Sequence, residues 1–509
     1  MASRTQSATP TPAWRRAPLA AALLLAGAGE APAMSLGVAT PAGWRPGDGA
    51  GVAALVAAVH AVPRKPRSPQ PPLRRAVSSC ADDGSAGSLR AVIAAANDGD
   101  TVDLRGLACS TITLAQGAIP LPFDNLTLDG PGAERLAIDG ALTDRVFVHY
   151  GYGELRLRGV TVQNGFNADA GYRIAGGACV LSGGYVTLDH AAVRGCIAVG
   201  EGAYGGGLLA RGVTLYTSTL SGNVARGSPL RTLTASYGGG AFAYRGSAAL
   251  YDSTVSGNRA EPDPNNRYGS YDTGGGLFSD NGGYASRSTV AGNYTDGTGG
   301  GIASHAGFFV GNSTISGNVA RAKPGGGLFV RLADAFSIRN STIAFNQAIR
   351  GGGVYLAGSP RAFALDSTIL AGNRAADGAD LAAAQAVAVV GANNLVQEAS
   401  AAIALPPDTR HADPKLLPLA ANGGPTPTHA LAPDSPAIDA GNDLAGFATD
   451  QRGDGYPRVQ GAAADIGAFE SAPAPPAPAA VPLAAPRGLA LLAALLLALG
   501  LVPARARKR

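Results

Sequence analysis

Two short phrases alternate six times between residues 205 and 373. The first reads STLSGN (218–223), STVSGN (253–258), STVAGN (288–293), STISGN (313–318), STIAFN (341–346) and STILAGN (367–373). The second is a glycine triplet opening at Gly205, Gly238, Gly274, Gly299, Gly325 and Gly351. A third strand-like piece, such as VTLYT or FSIRN, lies between them. Steps from triplet to triplet are 33, 36, 25, 26 and 26 residues. Each unit therefore holds three short β-segments separated by turns.

This period selects one architecture. A hairpin array would need a turn roughly every 8–12 residues and alternating strand directions. A parallel β-helix needs three strands per coil, each pairing with its equivalent about 4.8 Å away in the next coil. Equivalent residues then form columns. The Val, Ile or Leu after each Ser-Thr fills the interior. Asn223, Asn258, Asn293, Asn318, Asn346 and Asn373 form a ladder at one corner, where Asn tolerates a left-handed backbone and its amide reaches the neighbouring coil. The glycine triplets permit a tight corner. With 72 glycines among 509 residues, collagen or disorder would otherwise come to mind; 46% hydrophobic residues and no G-X-Y period exclude both.

The open end of such a helix needs a cover, because unpaired strand edges recruit other chains. SLRAVIAAAN (88–97) places Leu89, Val92, Ile93 and Ala96 on one helical stripe with Ser88 as N-cap, suited to lie across the first coil.

The two ends differ from the middle in charge. Residues 1–79 hold nine basic and two acidic side chains, and residues 471–509 hold five basic and none acidic. The remaining 26 basic and 34 acidic groups give residues 80–470 a net charge of −8. An acidic middle argues against nucleic acid as a partner. Arg15 and Arg16, an apolar run and APA at Ala31–Ala33 predict a signal peptide over 1–33. Residues 34–79, rich in Pro and Arg, read as a disordered spacer, although GVAALVAAV within them is a second apolar stretch. A Pro/Ala linker (471–487) leads to an apolar helix with a basic end (488–509), a membrane anchor by its length and flank. In an exported chain, Cys80–Cys109 and Cys179–Cys196 would be disulfides; otherwise they are two pairs of buried thiols.

Three stretches resemble known bacterial surface-protein modules. SLRAVIAAANDGDTVDL resembles the start of CSLREA-type right-handed β-helix proteins of pectin-lyase-like fold, matching at Ser88, Leu89, Arg90, Ile93, Ala96 and Asn97, with Gly87 at the motif's Cys and Ala91 at its Glu. NGGPTPTHALAPDSPAIDAGN (422–442), DQRG (450–453) and DIGAFE (465–470) resemble the choice-of-anchor Q domain. Val481-Pro482, Pro486, Gly488, Leu489, the leucine run and the arginine tail resemble PEP-CTERM and IPTL-CTERM sorting signals, which implies a sorting protease as a partner. The resemblance implies an all-β chain: a right-handed parallel β-helix with three-strand coils over 80–400, an N-terminal capping helix and a small C-terminal choice-of-anchor domain over 401–470. His429, Asp439, Asp450, Arg452 and Asp465 read as the polar network organising that domain.

Chemistry is harder to find. Lyases of this fold need carboxylates around calcium plus an Arg or Lys base, and hydrolases need paired carboxylates. The repeated columns carry Ser, Thr, Asn and Gly instead. No cofactor is implied; calcium enters only with a lyase. The link from ladder asparagine to the next triplet is 14 residues after Asn223 and 15 after Asn258, but 5, 6 and 4 in the next three coils. These long loops hold Arg231, Tyr237, Glu261, Asp263, Arg267, Tyr268, Tyr271 and Asp272, a set that suits sugar binding and equally a plain solvated edge. Phe242, Phe278, Phe329 and Tyr355 form a further column, which is a stacking strip if it points outward and core if it points inward. His149, His190 and His305 stand singly and suggest no metal. The expected role is structural or adhesive, at the cell surface or outside it, toward an envelope or extracellular polysaccharide or another surface protein. The alternative is a polysaccharide lyase or glycoside hydrolase working at the loop edge.

Overall fold

The computed structural model describes residues 50–168, 173–229, 233–265, 271–331, 335–358 and 362–472. They form a parallel β-helix of about eleven coils, and every pairing between its named strands is parallel. Three long sheets run its length. Sheet A has 13 strands, from Arg74–Ala76 to Ile403–Ala404. Sheet B has 11 and carries the Ser-Thr phrases; sheet C has 10 and follows the glycine triplets. One apolar cluster fills the lumen from Val77 to Val396. The column Leu220, Val255, Val290, Ile315, Ile343 and Leu370 lies within it, almost wholly buried.

The asparagines form a continuous ladder. Asn258 Oδ1 accepts from both the backbone N (3.0 Å) and Nδ2 (2.9 Å) of Asn223, and the same two bonds recur from Asn258 to Asn293, Asn318, Asn346 and Asn373. The second Nδ2 proton goes back to a backbone carbonyl, as in Asn318 to Val290 O. The left-handed backbone expected of these asparagines belongs to the residue before them: glycine in five coils and Phe345 (φ 59°) in the sixth. The triplets divide their work similarly. The first glycine takes positive φ, whereas a Cβ on the second, at Gly239, would meet Gly275 O at 2.3 Å, so the coils approach too closely for any side chain.

A second ladder explains the recurring serine. Ser253 Oγ accepts from Ser218 N at 3.1 Å, and Ser288, Ser313 and Ser341 repeat the bond at the corner between sheets A and B.

The asparagine ladder ends on a carboxylate. Asp380 Oδ1 accepts from Asn373 Nδ2 (2.7 Å), and Oδ2 accepts from Glu398 N (2.8 Å). A last rung must accept twice and has no further rung to donate to, so an acceptor-only group fits where Asn would point an N–H at an N–H. Burial pushes the Asp380 carboxyl up to about 6, despite these hydrogen bonds. The folded chain thus keeps a proton that the unfolded chain releases near 3.8. This contribution is fully present below about pH 4 and is lost as the pH rises through 6, a change of about 3 kcal/mol. The expected result is that the unfolding free energy of the protein minus that of Asp380→Asn falls by this amount between pH 4 and 7. A pH-independent difference in urea titrations would contradict it.

The N-terminal cap is in place. Helix α2 (Leu89–Ala95) has Ser88 as N-cap, its Oγ accepting from Ala91 N, and it buries Leu89 and Ile93 against the first coil. Both disulfides are formed, Cys80–Cys109 and Cys179–Cys196. Cys196 occupies the ladder position one coil before Asn223, whose Oδ1 accepts from Cys196 N at 3.1 Å.

The expected disordered spacer is corrected by two elements. Arg74–Ala76 is the first strand of sheet A, so the β-helix starts inside that segment and runs to Ala404. Helix α1 (Ala50–Ala61) contains the apolar stretch GVAALVAAV and packs Val52, Leu55 and Val59 on the outer face of sheet C, against Val148, Leu181 and Leu209. The charge asymmetry has the same origin. Arg67, Arg74 and Arg75 pair with Asp98, Asp129 and Asp100, and Arg64 with Asp124, so the basic segment is the counter-charge of the acidic first coils.

Residues beyond 404 lie back along the outer face of sheet B. Thr289 Oγ1 donates to Pro427 O, Thr314 Oγ1 to Gln451 Oε1, and Ser316 pairs with His429 Nε2 at 2.8 Å. Ile369, Leu395, Leu431, Ala437 and Ile466 share one small core. Arg452 and Asp450 form a buried ion pair, and Asp439 N donates to Asp465 Oδ1. The expected signal peptide (1–33) and the expected apolar anchor (488–509) lie outside the described residues. Among the described residues no helix is long and apolar enough to cross a membrane.

Candidate functional site

The long loops are not free loops. They pair coil to coil into a six-stranded sheet that includes Val224–Gly227 and Arg259–Glu261, and a three-stranded sheet that includes Gly202–Tyr204 and Ala235–Tyr237. Together these make a fin beside sheet C. Arg231, Arg267 and Tyr268 lie outside the described residues. Of the remaining edge residues, Glu261 is held between Arg226 (3.0 Å) and Arg259 (2.6 Å). Asp272 is 1% exposed and accepts from Ser236 N. Asp263 accepts from Asn265 N in its own turn. Tyr271 is exposed under Lys323, and Tyr237 stacks on Tyr204 at 5.6 Å. The fin thus brings Tyr237, Glu261 and Asp272 into structural roles, with both of these carboxylates already engaged.

The aromatic column on sheet C points out of the lumen, yet its upper part is covered. Phe242 and Phe278 are nearly buried, packed by Tyr204, Tyr237 and Tyr244, with His305 edge-on to Phe278. Phe329 and Tyr355 stack at 5.9 Å further along. It is core, though of a cluster outside the coil. His149 is buried and satisfied by Ser182 Oγ and Asp124 O, and burial lowers its pKa to about 4.

An open strip stands instead on sheet A. In the strands Gly212–Tyr216, Ala248–Tyr251, Gly283–Ser286 and Phe308–Gly311, alternation sends Leu215, Leu250, Ala285 and Val310 into the lumen. It sends Tyr216, Tyr251, Tyr284 and Phe309 outward, one ring on each of four successive coils. Tyr216 is 42% exposed and Phe309 40%. Tyr216 and Tyr251 stack at 5.0 Å with an interplanar angle of 11°, and Tyr251 meets Tyr284 at 5.6 Å. Partial burial and its tyrosine neighbours raise the Tyr251 pKa, so the hydroxyl stays neutral. At the strip's end Gly311 leaves room for Phe447, whose Cζ would lie 3.0 Å from a Cβ there. Polar groups border the rings: Arg287 forks Asp252 with two bonds of 2.7 Å at the adjoining corner, and Thr214 precedes them on the same face. Flat faces rimmed by donors and acceptors suit a ligand with one apolar face and many hydroxyls.

Sequence reasoning missed this strip. Its residues do not share one column, since Tyr251 pairs with Ser286 while Tyr284 pairs with Ala249, so no letter repeats. The strand YT/YD/YA pieces in VTLYT, AALYD and GYASR held the signal, readable only once the register is known. No group of three or more His, Cys, Asp or Glu side chains converges on a metal position among the described residues.

No protein-family model matches the sequence, and no curated protein does. Among solved structures, the crystal structure of pectate lyase Pel9A is similar, with a TM-score of 0.40 and 15% identity over 79% of this chain and 97% of that one. The chain is an all-β parallel β-helix with an aromatic strip on the outer face of sheet A.

Proposed function

We propose that this protein is an exported, surface-attached rod that holds polysaccharide on the aromatic strip of sheet A. The carrying observation is the row Tyr216, Tyr251, Tyr284 and Phe309, its two ends exposed and its two middle rings partly buried. Exposed rings on successive coils cost solubility and contribute nothing to the lumen, so their use lies outside the fold. Two disulfides accord with an oxidising compartment. In this reading, the signal-like start, the choice-of-anchor resemblance and the sorting-type tail supply export and attachment, and the tail's protease is the second partner. The catalytic alternative is less favoured, because Glu261 and Asp272 are bound within the fin.

The test is retention of the full chain in affinity electrophoresis through gels holding neutral or uronic-acid polysaccharides. At least one polymer is expected to retard it. Tyr216→Ala/Tyr251→Ala is expected to weaken that retardation about tenfold or more, at ~1 kcal/mol per stacked ring. Both rings are on the surface, so circular dichroism should be unchanged. Equal retardation of the two proteins would remove the strip from the reading; an unsaturated product absorbing in the ultraviolet would favour the lyase.

A further inference from the structure

Where α1 crosses sheet C, a cavity of about 290 Å3 opens beside it. One wall is apolar, formed by Ala53, Val56 and Ala57 of α1. The floor is Gly183, whose carbonyl accepts from His60 Nε2 at 3.1 Å, and a Cβ there would lie 2.3 Å from that nitrogen. The opposite wall is Arg211, Tyr244 and Arg245, at the same corner of adjacent coils.

The two arginines differ from the others described above. Arg211 lies over the Tyr185 ring at 5.7 Å and Arg245 over Tyr244 at 5.2 Å, and neither guanidinium has an acidic partner among the described residues. Asp280 accepts from the backbone N of Arg245 and faces His305 Nδ1 at 3.4 Å, without a salt bridge to either guanidinium. Arg245 also takes a left-handed backbone (φ 59°), which strains a side-chain-bearing residue where glycine would be at ease. His60 is held below its usual pKa, chiefly by burial, so the positive charge here is the arginines' own.

A cavity with an apolar wall and two exposed guanidiniums that stand outside any ion pair among the described residues suits an oxyanion carried on a compact ring. Guanidinium forks carboxylate and sulfate in two parallel bonds, and the ring body lies against Val56 and Tyr244. The volume suits one sugar unit, being at the small end of ligand sites. We propose that this pocket binds the carboxylate or sulfate of an acidic sugar. The proposal deepens the glycan-binding reading and rests on it only for the polymer to which that sugar belongs.

The experiment is calorimetric titration of the full chain with glucuronate, glucose 6-sulfate and glucose. Binding of at least one acidic sugar, with glucose at least tenfold weaker, is expected. Arg211→Gln/Arg245→Gln should weaken it at least tenfold, and Arg211→Lys/Arg245→Lys should restore part. Val56→Trp should abolish it by filling the cavity without altering charge. Raising salt from about 50 to about 500 mM should weaken binding severalfold. Preference for one acidic sugar assigns the oxyanion. Equal response to glucose, no binding of either acidic sugar, or unchanged binding by the double glutamine variant overturns the proposal. Retention on neutral polymers, read from the strip variants, stands or falls separately.

Discussion

Arg90→Ala should destabilise the N-terminal end of the solenoid by about 3–5 kcal/mol, the cost of leaving a buried carboxylate without its cation. Arg90 Nε and Nη2 each reach one oxygen of Asp82 at 2.9 Å, and its Nη1 and Nη2 also donate to the carbonyls of Ala118 (3.1 Å) and Gly117 (2.7 Å). Asp82 in turn accepts from Ala115 N and Gln116 N. One guanidinium therefore joins the capping helix to the segment before it and to the first coil. Lys65 adds a brace from outside, its Nζ donating to the carbonyls of Ala94 in α2 and of the C-cap residue Ala96. Arg90→Lys keeps the charge but lacks the fork, so it should recover less than half of the loss. Hydrogen exchange of the α2 amides should accelerate in Arg90→Ala by about two orders of magnitude or more, with the central coils little changed, because a solenoid unit contacts only its neighbours. Unaltered exchange over Leu89–Ala95 would show that the fork does not hold the cap.

The cap was legible in the sequence for a reason that also marks the limits of such reading. Leu89, Ile93 and Ala96 follow helical spacing, and Ser88 precedes them, so local pattern and tertiary role agree. The coils were legible because the Asn and Ser-Thr columns recur as letters. Helix α1 gave no such pattern. Its Ala and Val surround the whole helix, so GVAALVAAV shows no polar face, and its neighbours Pro63 and Pro66 suggest a linker. Only the ion pairs of Arg64, Arg67 and Arg75 with the first coils reveal why basic residues gather there. The fin was visible as loop length but not as paired strands. The tail's return along sheet B was invisible, because Thr289 and Thr314 are the same letters as Thr219 and Thr254, which nothing covers so fully. The strip on sheet A depends on register, which spacing alone does not give.

Asn318→Ala should lower stability by about 4 kcal/mol, more than loss of an exposed hydrogen bond could. Asn318 Oδ1 is the acceptor for both the N and Nδ2 of Asn293. Its own Nδ2 donates to Val290 O and to Asn346 Oδ1 at 2.9 Å. Truncation leaves two buried donors of Asn293 unpaired, each costing about 1–3 kcal/mol and not fully additively, and removes one donor each from Val290 O and Asn346 Oδ1. It also opens a gap where the Gly301 backbone packs on the amide, with a Cβ there only 3.0 Å from Asn318 Cγ. Asn318→Asp discriminates direction from mere polarity. Its Oδ1 still accepts from Asn293, but its Oδ2 faces Val290 O and Asn346 Oδ1, two acceptors, in a position with no cation. It should therefore cost as much as alanine or more near pH 7 and less at low pH, where protonation restores one donor. At the end of the ladder the order inverts: Asp380 is native and Asn the poorer choice, since no rung beyond it needs a donor. Urea midpoints for Asn318→Ala, Asn318→Asp and Asp380→Asn measure this directly. If aspartate were tolerated at 318 as well as at 380, the ladder would be a row of small polar residues rather than a directed chain of donors and acceptors.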